Sequence, residues 1–474
     1  MKKLTFFSIL VLSFICINCK TNEEDYSKAL MCYKNTQNTS SDYINRLEFL
    51  SGNNNFSITE TEMESTLISF LQYESDSRNS DNTISIKKID QLPISVSILK
   101  SNDSRDLQEQ SESDTIPLYL YSTKNENLST EGFAITSTDL RIGSIIAVVD
   151  NGSFEYFKTT DFMPIFISKL YDYTNEIIKA WIDLNTKSED RGITDLLIIE
   201  EKNKQATAYT YSNFRTLDIN TNCLMKTEWG QNSPYCDYAR KKLNSSDIVA
   251  GCTPVALAQI LTQLEITDPN TNYPYNWNLI KSKTPCNSIA EEQIGYMLYK
   301  LGTGMGSSYG TTTSTSILSA SLYLLNNGYT FNSYFYNFDE IKNSIDNGCP
   351  VLISGSDQII YYNGTVYPRT GHSWVIDAYK NCEVTLYEAT TQQTFEITDY
   401  FVHCNMGWEG LCNGYYRNDI FYTRNIPEPD YQQPLYENGQ RDVRYIFGFP
   451  YLFEEYLRDY YKYNVTIISN LNHN

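Results

Sequence analysis

The chain has 474 residues, too many for one compact core, and this length suits two domains preceded by a leader. Apolar residues make up 41% of it, an ordinary share for a globular protein. The formal net charge of −20 repels phosphate backbones, and no run rich in Lys and Arg offsets it, so the composition argues against a nucleic-acid partner.

The first residues have the pattern of an export signal. A basic start precedes an apolar run at 4–17, and its length of about 14 residues is short of the roughly 20 needed to span a bilayer. The run ends at a loose lipoprotein processing site with Cys19 as the lipidated N-terminus, although Asn18 stands where a small residue is usual, so simple cleavage is the alternative. We expect 1–19 to be a signal peptide and the protein to be exported. We expect it to be extracellular or at the cell surface, for example as an outer-membrane lipoprotein, and to meet a membrane only through that anchor.

The residues after the leader predict one α+β domain, which we assign to 20–205. Polar patches at 74–83 and 101–115 are typical of loops. Strands are predicted at 132–136 and 144–149, followed by a helix over 164–184 with apolar residues at three- and four-residue spacing.

The second half has short aromatic-rich strands and Gly-rich loops. Its first chemical motif contains Gln231, whose side-chain amide is a good donor to an oxyanion. A lone Gln carries no weight, and this one gains meaning only from the motifs that follow it.

Cys252 lies at or just before the start of a predicted helix over 252–264. Pro254 is tolerated only in the first turn of a helix, which fixes where this helix begins. A thiolate is stabilised at a helix N-terminus, and Gly251 lets a substrate backbone approach closely. This is the setting that an activated cysteine needs, but this segment alone favours the alternative of a small apolar residue that packs a helix start.

His372 opens an apolar, strand-like run behind Gly371, which leaves one side of the ring accessible. A general base must reach the sulfur and still be held rigidly, and a strand edge meets both needs. Of the other two histidines, His473 is in the terminal tail and His403 is expected to be structural, so that His403→Ala should retain most turnover.

The third motif runs from 403 to 416 and begins in a loop that leaves a strand. The Asn405 side chain can accept the imidazole N–H of the base, and Trp408 can shield that bond from water, as a Cys-His-Asn system requires.

The order Gln231, Cys252, His372, Asn405, together with the residues around each, resembles the streptopain family of papain-like cysteine peptidases. The resemblance covers roughly 205–425 and continues more weakly into 132–154, which is similar to that family's propeptide. It implies a papain-like two-lobed domain at 206–474, with a helical lobe and an antiparallel β lobe, preceded by the α+β prodomain.

The resemblance also implies function. The expected activity is that of an endopeptidase made as a zymogen, which cleaves proteins or peptides through a thioester acyl-enzyme and is inhibited by its own prodomain, with no cofactor and no metal. Cys252 would be the nucleophile, His372 the base and Gln231 the oxyanion donor. Gly251, Gly371 and Met305 would line the substrate cleft. Met406 replaces a Trp common in the family, and Glu409 replaces a common Gly, which puts rate and pH behaviour in doubt.

Two other function classes fit parts of the pattern. One is an inactive binding lipoprotein with a peptidase fold. The other is a Cys-His enzyme with an Asp-centred triad, but Asp377 is five residues after His372, and this odd spacing on a strand directs it to the opposite face. Zinc-type spacing of cysteines and histidines is absent beyond the leader. Three of the 11 cysteines have other predicted roles, which leaves eight. These eight could form disulfides, with Cys223–Cys236 and Cys404–Cys412 as the pairs nearest in sequence, or they could be buried free thiols, and the sequence favours neither alternative.

Overall fold

The structure is a computed structural model, and all the residues it describes lie in one compact unit, Arg46–Asn474. The described residues are 46–47, 50, 56–76, 84–91, 94–98, 112–125, 130–189, 209–220, 223–269, 273–356, 359–362, 365–368, 371–388, 392–421, 445–446, 449–450 and 465–473. The predicted leader, including Cys19, lies outside them.

The described residues form both helices and antiparallel strands, grouped in runs along the chain, which confirms the mixed α+β class. The helices are α1 Glu60–Asp76, α2 Phe154–Phe157, α3 Phe162–Glu189, α4 Asp237–Leu243, α5 Cys252–Leu264, α6 Trp277–Ile280, α7 Ser288–Gly304, α8 Ile317–Asn326 and α9 Phe338–Asp346. The strands are β1 Ile84–Gln91, β2 Ile94–Ile98, β3 Glu112–Ile116, β4 Leu118–Asn125, β5 Thr130–Ser137, β6 Ile145–Val149, β7 Tyr209–Asn220, β8 Tyr329–Phe335, β9 Val351–Ser356, β10 Ile359–Tyr362, β11 Thr365–Pro368, β12 Gly371–Glu388, β13 Gln393–Asn405, β14 Gly414–Arg417, β15 Tyr445–Ile446, β16 Phe449–Pro450 and β17 Val465–His473. A 3₁₀ turn at Asn418–Phe421 follows β14.

One 11-stranded sheet joins the two halves of the chain. Its order is β1-β4-β5-β6-β14-β13-β12-β9-β17-β8, with β7 paired to β12 off this path. The junction is the antiparallel pair β6–β14, in which Val148 lies opposite Tyr415. Gly414 permits it, because a Cβ at that position would lie 2.2 Å from the Val148 carbonyl oxygen. The predicted domain boundary near 205 falls in 190–208, outside the described residues, and stays a prediction.

Two buried apolar clusters hold the main elements to this sheet. One joins α5, α7 and α8 to β9, β12 and β17, and residues 253–262 of α5 are all buried in it. The other packs α1 against β4, β5, β12 and β13. The first cluster fixes the helix that carries Cys252, and the second fixes the part of the chain that precedes residue 150.

The predicted elements agree with the structure except at the two loops. The loop expected at 74–83 is wrong at its start, where 74–76 are the last residues of α1. The predicted strands at 132–136 and 144–149 correspond to β5 and β6, and the predicted helices at 164–184 and 252–264 correspond to α3 and α5. The expectation of a loop over 101–115 is wrong at its end, where Glu112–Ile116 form β3 by pairing with Ile94–Ile98. That pairing gives the polar residues of β3 a backbone partner that local composition does not reveal.

The eight cysteines among the described residues are all free thiols. Neither suggested pair, Cys223–Cys236 or Cys404–Cys412, is a disulfide. No helix in the described part of the chain combines the length and apolarity that crossing a membrane requires.

Candidate active site

Cys252 is the first residue of α5, and the backbone before it is in a conformation that suits glycine. Gly251 has φ +92°, and a Cβ there would lie 2.9 Å from the Thr313 side chain. Thr313 in turn donates to the Val249 carbonyl oxygen at 2.6 Å. The loop that contains Thr313 is therefore packed directly against the turn that presents the cysteine.

A hydrogen bond joins the cysteine helix to the histidine strand. The Thr253 and Ser373 hydroxyl oxygens lie 2.9 Å apart and are buried, and each belongs to the residue that follows Cys252 or His372. Thr253 also donates to the Thr315 carbonyl oxygen at 2.9 Å. The fold thus brings together two candidate catalytic residues that are 120 positions apart.

The His372 ring is buried and held on three sides. Its Nε2 is 2.9 Å from the Met406 carbonyl oxygen. The Trp408 ring stacks on it with centroids 4.5 Å apart, and the Trp374 ring is nearly parallel at 5.9 Å. Trp408 therefore covers one face of the His372 ring, and its role as a shield of a His–Asn bond stays a prediction.

The hydrogen-bond partner of the ring differs from the expectation. Asn405 was expected to accept the imidazole N–H, but its Oδ1 accepts from the Gly407 N–H at 3.2 Å, and its Nδ2 donates to the Thr227 carbonyl oxygen at 2.8 Å. The adjacent Met406 carbonyl oxygen meets the ring instead. Asn405 shapes the loop that presents this carbonyl, and its side chain is not the partner of the ring here.

Gln259 was not singled out from the sequence, yet it connects three parts of the site. Its Oε1 accepts from the Thr227 hydroxyl at 3.0 Å and from the Trp229 N–H at 3.1 Å, while its Nε2 lies 3.5 Å from Asn405 Oδ1. The available signal was that Gln259 is a polar residue within an apolar stretch of a predicted helix. A buried amide requires hydrogen-bond partners, so such a residue indicates a polar contact in the core.

Gln231 is brought close to the cysteine by the backbone. Its carbonyl oxygen accepts from the Ala250 N–H at 2.8 Å, two residues before Cys252. The side chain is partly exposed, which leaves its amide free to turn toward a substrate. Its role as an oxyanion donor stays a prediction.

The other residues predicted to line the cleft differ in setting. Gly371 is exposed, and a Cβ there would meet only the Gly355 carbonyl oxygen at 3.6 Å. Met305 ends α7 and is buried, and with Tyr323 and Leu322 it lines a cavity of about 530 Å³ between α7 and α8. The residues around that cavity do not include Cys252 or His372.

Both candidate catalytic groups are held neutral in this structure. Burial raises the pKa of the Cys252 thiol, although hydrogen bonds to the Ser373 backbone and to Thr253 oppose this, and the Asp161 carboxylate adds to the increase. Burial lowers the pKa of His372 to about 4, against the opposing effect of its bond to the Met406 carbonyl. The structure corresponds to thiol and imidazole at neutral pH, not to the thiolate–imidazolium pair of an active enzyme.

The N-terminal half of the chain also contributes residues to the surroundings of the site. Phe162, the first residue of α3, is fully buried, with its ring centroid 5.0 Å from Trp374 and 6.5 Å from His372. The neighbouring Asp161 is close enough to Cys252 to affect the pKa of its thiol. The start of α3 therefore packs beside the His372 ring, with the Asp161 carboxylate near Cys252.

His403 lies in a different environment. Its Nδ1 is 2.6 Å from Asp377 Oδ1 and its Nε2 is 3.3 Å from Asp150 Oδ2. Asp377 thus faces His403, on the side of β12 that the odd spacing from His372 indicated. The hydrogen-bond partners of the His403 ring are therefore the two carboxylates, and neither Cys252 nor His372 is among them.

Comparison with known proteins identifies this segment. Residues 229–416 match the model of the Peptidase C10 family. The chain is also similar to the solved structure of active wild-type interpain A, a cysteine protease of Prevotella intermedia, with 18% identity over 44% of this chain and 87% of that chain and a TM-score of 0.30. No curated protein matches the chain. The resemblance to the streptopain family is confirmed by the match of residues 229–416 to the Peptidase C10 family model.

Proposed function

We propose that the protein is an exported cysteine endopeptidase made as a zymogen. The observation that carries this proposal is the buried 2.9 Å contact between Thr253 and Ser373, because it connects Cys252 to His372 inside the segment that matches the peptidase family. The exported location rests on the leader pattern alone.

In the proposed mechanism His372 accepts the thiol proton and the Cys252 thiolate attacks the scissile carbonyl carbon. The oxyanion is stabilised by the Gln231 amide and the Cys252 N–H, and loss of one such donor costs about 2.7–4 kcal/mol of barrier. The imidazolium then protonates the leaving amine, and water hydrolyses the thioester. The Met406 carbonyl orients the ring in the role first assigned to the Asn405 side chain.

The N-terminal half would act as the inhibitor. The Phe162 ring lies beside the His372 ring and the Asp161 carboxylate acts electrostatically on the Cys252 thiol, and the neutral state of Cys252 and His372 is what a covered, inactive precursor requires. Cleavage within 190–208 would free the C-terminal part of the chain to bind protein substrates.

The test is hydrolysis of casein or a peptide by the processed enzyme. Cys252→Ala and His372→Ala should each abolish turnover, and Cys286→Ala, which changes an exposed free thiol, should leave it unchanged. Activity retained by Cys252→Ala would exclude the proposed mechanism.

A second measurement tests the precursor and the rival class. The mass of the active chain from residue 20 should fall with time, and full activity without shortening would exclude a zymogen. An inactive binding lipoprotein would leave Cys252 no more reactive toward alkylation in the processed domain than Cys286 is.

A further inference from the structure

His403 has a carboxylate on each of its two ring nitrogens. Asp377 Oδ1 is 2.6 Å from Nδ1, and Asp150 Oδ2 is 3.3 Å from Nε2. An ionised carboxylate only accepts hydrogen bonds, so each of these contacts needs an N–H on the ring. A neutral imidazole carries one N–H and an imidazolium carries two, and imidazole is a stronger base than a carboxylate. The geometry is therefore that of a charged ring between two carboxylates.

The local backbone fixes Asp377 against the ring. The register of β12 against β13 shifts between Ile376 and Ala378, which makes Asp377 the extra residue of a β-bulge. The Leu224 N–H donates to its carbonyl oxygen at 3.0 Å, and the Met225 N–H donates to its Oδ2 at 3.3 Å. With Oδ1 on the histidine, both oxygens of this buried carboxylate have partners. Asp377 is thus the fixed side of the arrangement.

Asp150 is the side that comes from the N-terminal half. It directly follows β6, and its N–H donates to the Asn413 carbonyl oxygen at 2.9 Å. The Cys412 N–H donates to the Asn151 carbonyl oxygen at 2.9 Å, so backbone bonds continue the β6–β14 pairing beyond both strands. The Asp150 side chain is 41% exposed, which leaves this end of the arrangement open to solvent. The bond from the ring to Asp150 therefore joins the N-terminal half to residues 229–416, which match the Peptidase C10 model and which we call the C10 segment.

Other titratable groups lie near the ring on the elements packed against it. The partly exposed Cys223 sulfur lies within 4.8 Å of ligand-type atoms of Asp377 and His403. The Tyr415 ring of β14 packs on the His403 ring with centroids 5.0 Å apart, and Lys380 Nζ of β12 is 4.4 Å from the Tyr415 ring centroid. Two further groups interact electrostatically with His403, and these are the buried Cys404 thiol and Tyr416 hydroxyl. Burial lowers the pKa of His403, but its interactions with Cys223 and the two carboxylates outweigh burial and hold the pKa well above its ordinary value.

We infer that His403, Asp377 and Asp150 form a pH-sensitive contact between the N-terminal half and the C10 segment, which we call the His403 bridge. While both ring nitrogens are protonated, the ring donates to the two carboxylates at once. When the pH rises, the Nε2 proton passes to solvent, because that nitrogen faces the partly exposed carboxylate. A nitrogen lone pair then faces the Asp150 carboxylate, and repulsion replaces the bond that joined the two halves.

The direction of the pH effect follows from the raised pKa of His403. Such a group contributes fully to the free energy of unfolding below its ordinary pKa of 6.5, and the contribution is lost as the pH rises through the folded-state pKa. The His403 bridge therefore holds the two halves together in acidic and neutral solution and weakens in alkaline solution. If the N-terminal half is the inhibitor that we propose, its release becomes easier as the pH rises, and only this consequence rests on the proposed function.

The first measurement is the protonation state of His403, read by nuclear magnetic resonance. The chain contains three histidines, so ¹⁵N-histidine labelling of the uncleaved chain in a Cys252→Ala background gives few signals, and His372→Asn and His473→Gln assign them. Long-range ¹H–¹⁵N spectra distinguish an imidazolium from a neutral ring. At pH 7.5 His403 should be charged, while His372, with a pKa of about 4, should be neutral. A neutral His403 at that pH would overturn the bridge, and so would a ring that stays charged until the chain unfolds in alkali.

The second measurement tests whether Asp150 holds the proton on the ring. Asp150→Asn changes a partly exposed side chain, so the chain should fold, and it removes one of the two charges that face the ring. The pH at which His403 loses its proton should fall by about 1–3 units. Glu155→Gln, the matched control, removes an 80% exposed carboxylate that pairs with Lys158 in the same half and should leave this pH unchanged. An unchanged titration of His403 in Asp150→Asn would exclude the contact.

The third measurement tests whether the bridge joins the two halves. At pH 6.5 the Cys252→Ala chain should unfold at a higher temperature than the same chain with Asp150→Asn, and this difference should disappear above the pH at which His403 loses its proton. An equal difference at both pH values would mean that Asp150 acts by packing, and would overturn the switch. Because no readout uses peptidase activity, failure of the bridge leaves the proposed function standing, and failure of the activity test leaves the bridge standing.

Discussion

Replacing Phe162 with Ala should uncover the candidate catalytic pair while the chain remains intact. The ring is fully buried and contacts five other aromatic side chains besides His372. Truncating a buried Phe to Ala costs about 3–5 kcal/mol. If about 3 kcal/mol of this loss weakens the packing of α3 against the site, the local opening of α3 away from the site becomes roughly 100-fold more frequent.

The assay is alkylation of the uncleaved chain followed by peptide mass spectrometry. We expect Cys252 in Phe162→Ala to be modified roughly 100-fold faster than in wild type. Cys286, which is exposed, serves as the internal reference in every sample.

The matched control is Phe133→Ala. Phe133 is also buried, in β5, and packs on Phe154 and Phe157 without contacting His372. It loses the same volume from the same half of the chain. Equal acceleration in both variants would indicate general unfolding, and no acceleration in Phe162→Ala would refute the idea that this ring closes the site.

Two further predictions concern stability, measured by urea unfolding. The pKa of His372 is about 4 in the folded chain against an ordinary value of 6.5, so its contribution to the free energy of unfolding is present above pH 6.5 and is lost as the pH falls toward 4. Over that range the wild-type chain should lose about 3 kcal/mol more stability than His372→Asn. Parallel losses in the two chains would contradict the assignment. Asp399→Asn leaves the buried Arg46 and Arg417 side chains without their shared carboxylate and should lower the free energy of unfolding by about 3–5 kcal/mol. Glu60→Gln, which removes an exposed ion pair, should lower it by under about 1 kcal/mol. Similar losses in the two variants would show that burial of the ion pair is not decisive.

Local sequence signals were enough to predict the elements that carry the chemistry. Pro254 fixed the start of α5, and the glycines before Cys252 and His372 indicated where those residues stand. These signals work because helix initiation and strand edges are set by residues a few positions apart.

The partner of His372 could not be predicted in the same way. The ring meets the Met406 carbonyl oxygen, and a backbone carbonyl is the same at every residue, so the sequence favoured the Asn405 side chain next to it. Phe162 was assigned no role because the contact that gives it one spans 210 positions, 372 minus 162, and depends on how two halves dock.

If the chain is cleaved as we propose, the β6–β14 pair has a consequence for the C-terminal part that remains. Loss of residues 46–189 would leave Gly414–Arg417 at an open margin of the sheet, with backbone N–H and C=O groups that β6 now binds. An unpaired sheet edge of this kind can pair with another strand, which would come from a second copy of the chain or from an extended polypeptide. Gly414 would then mark the position at which β6 had been paired, because its lack of a side chain is what makes room for β6.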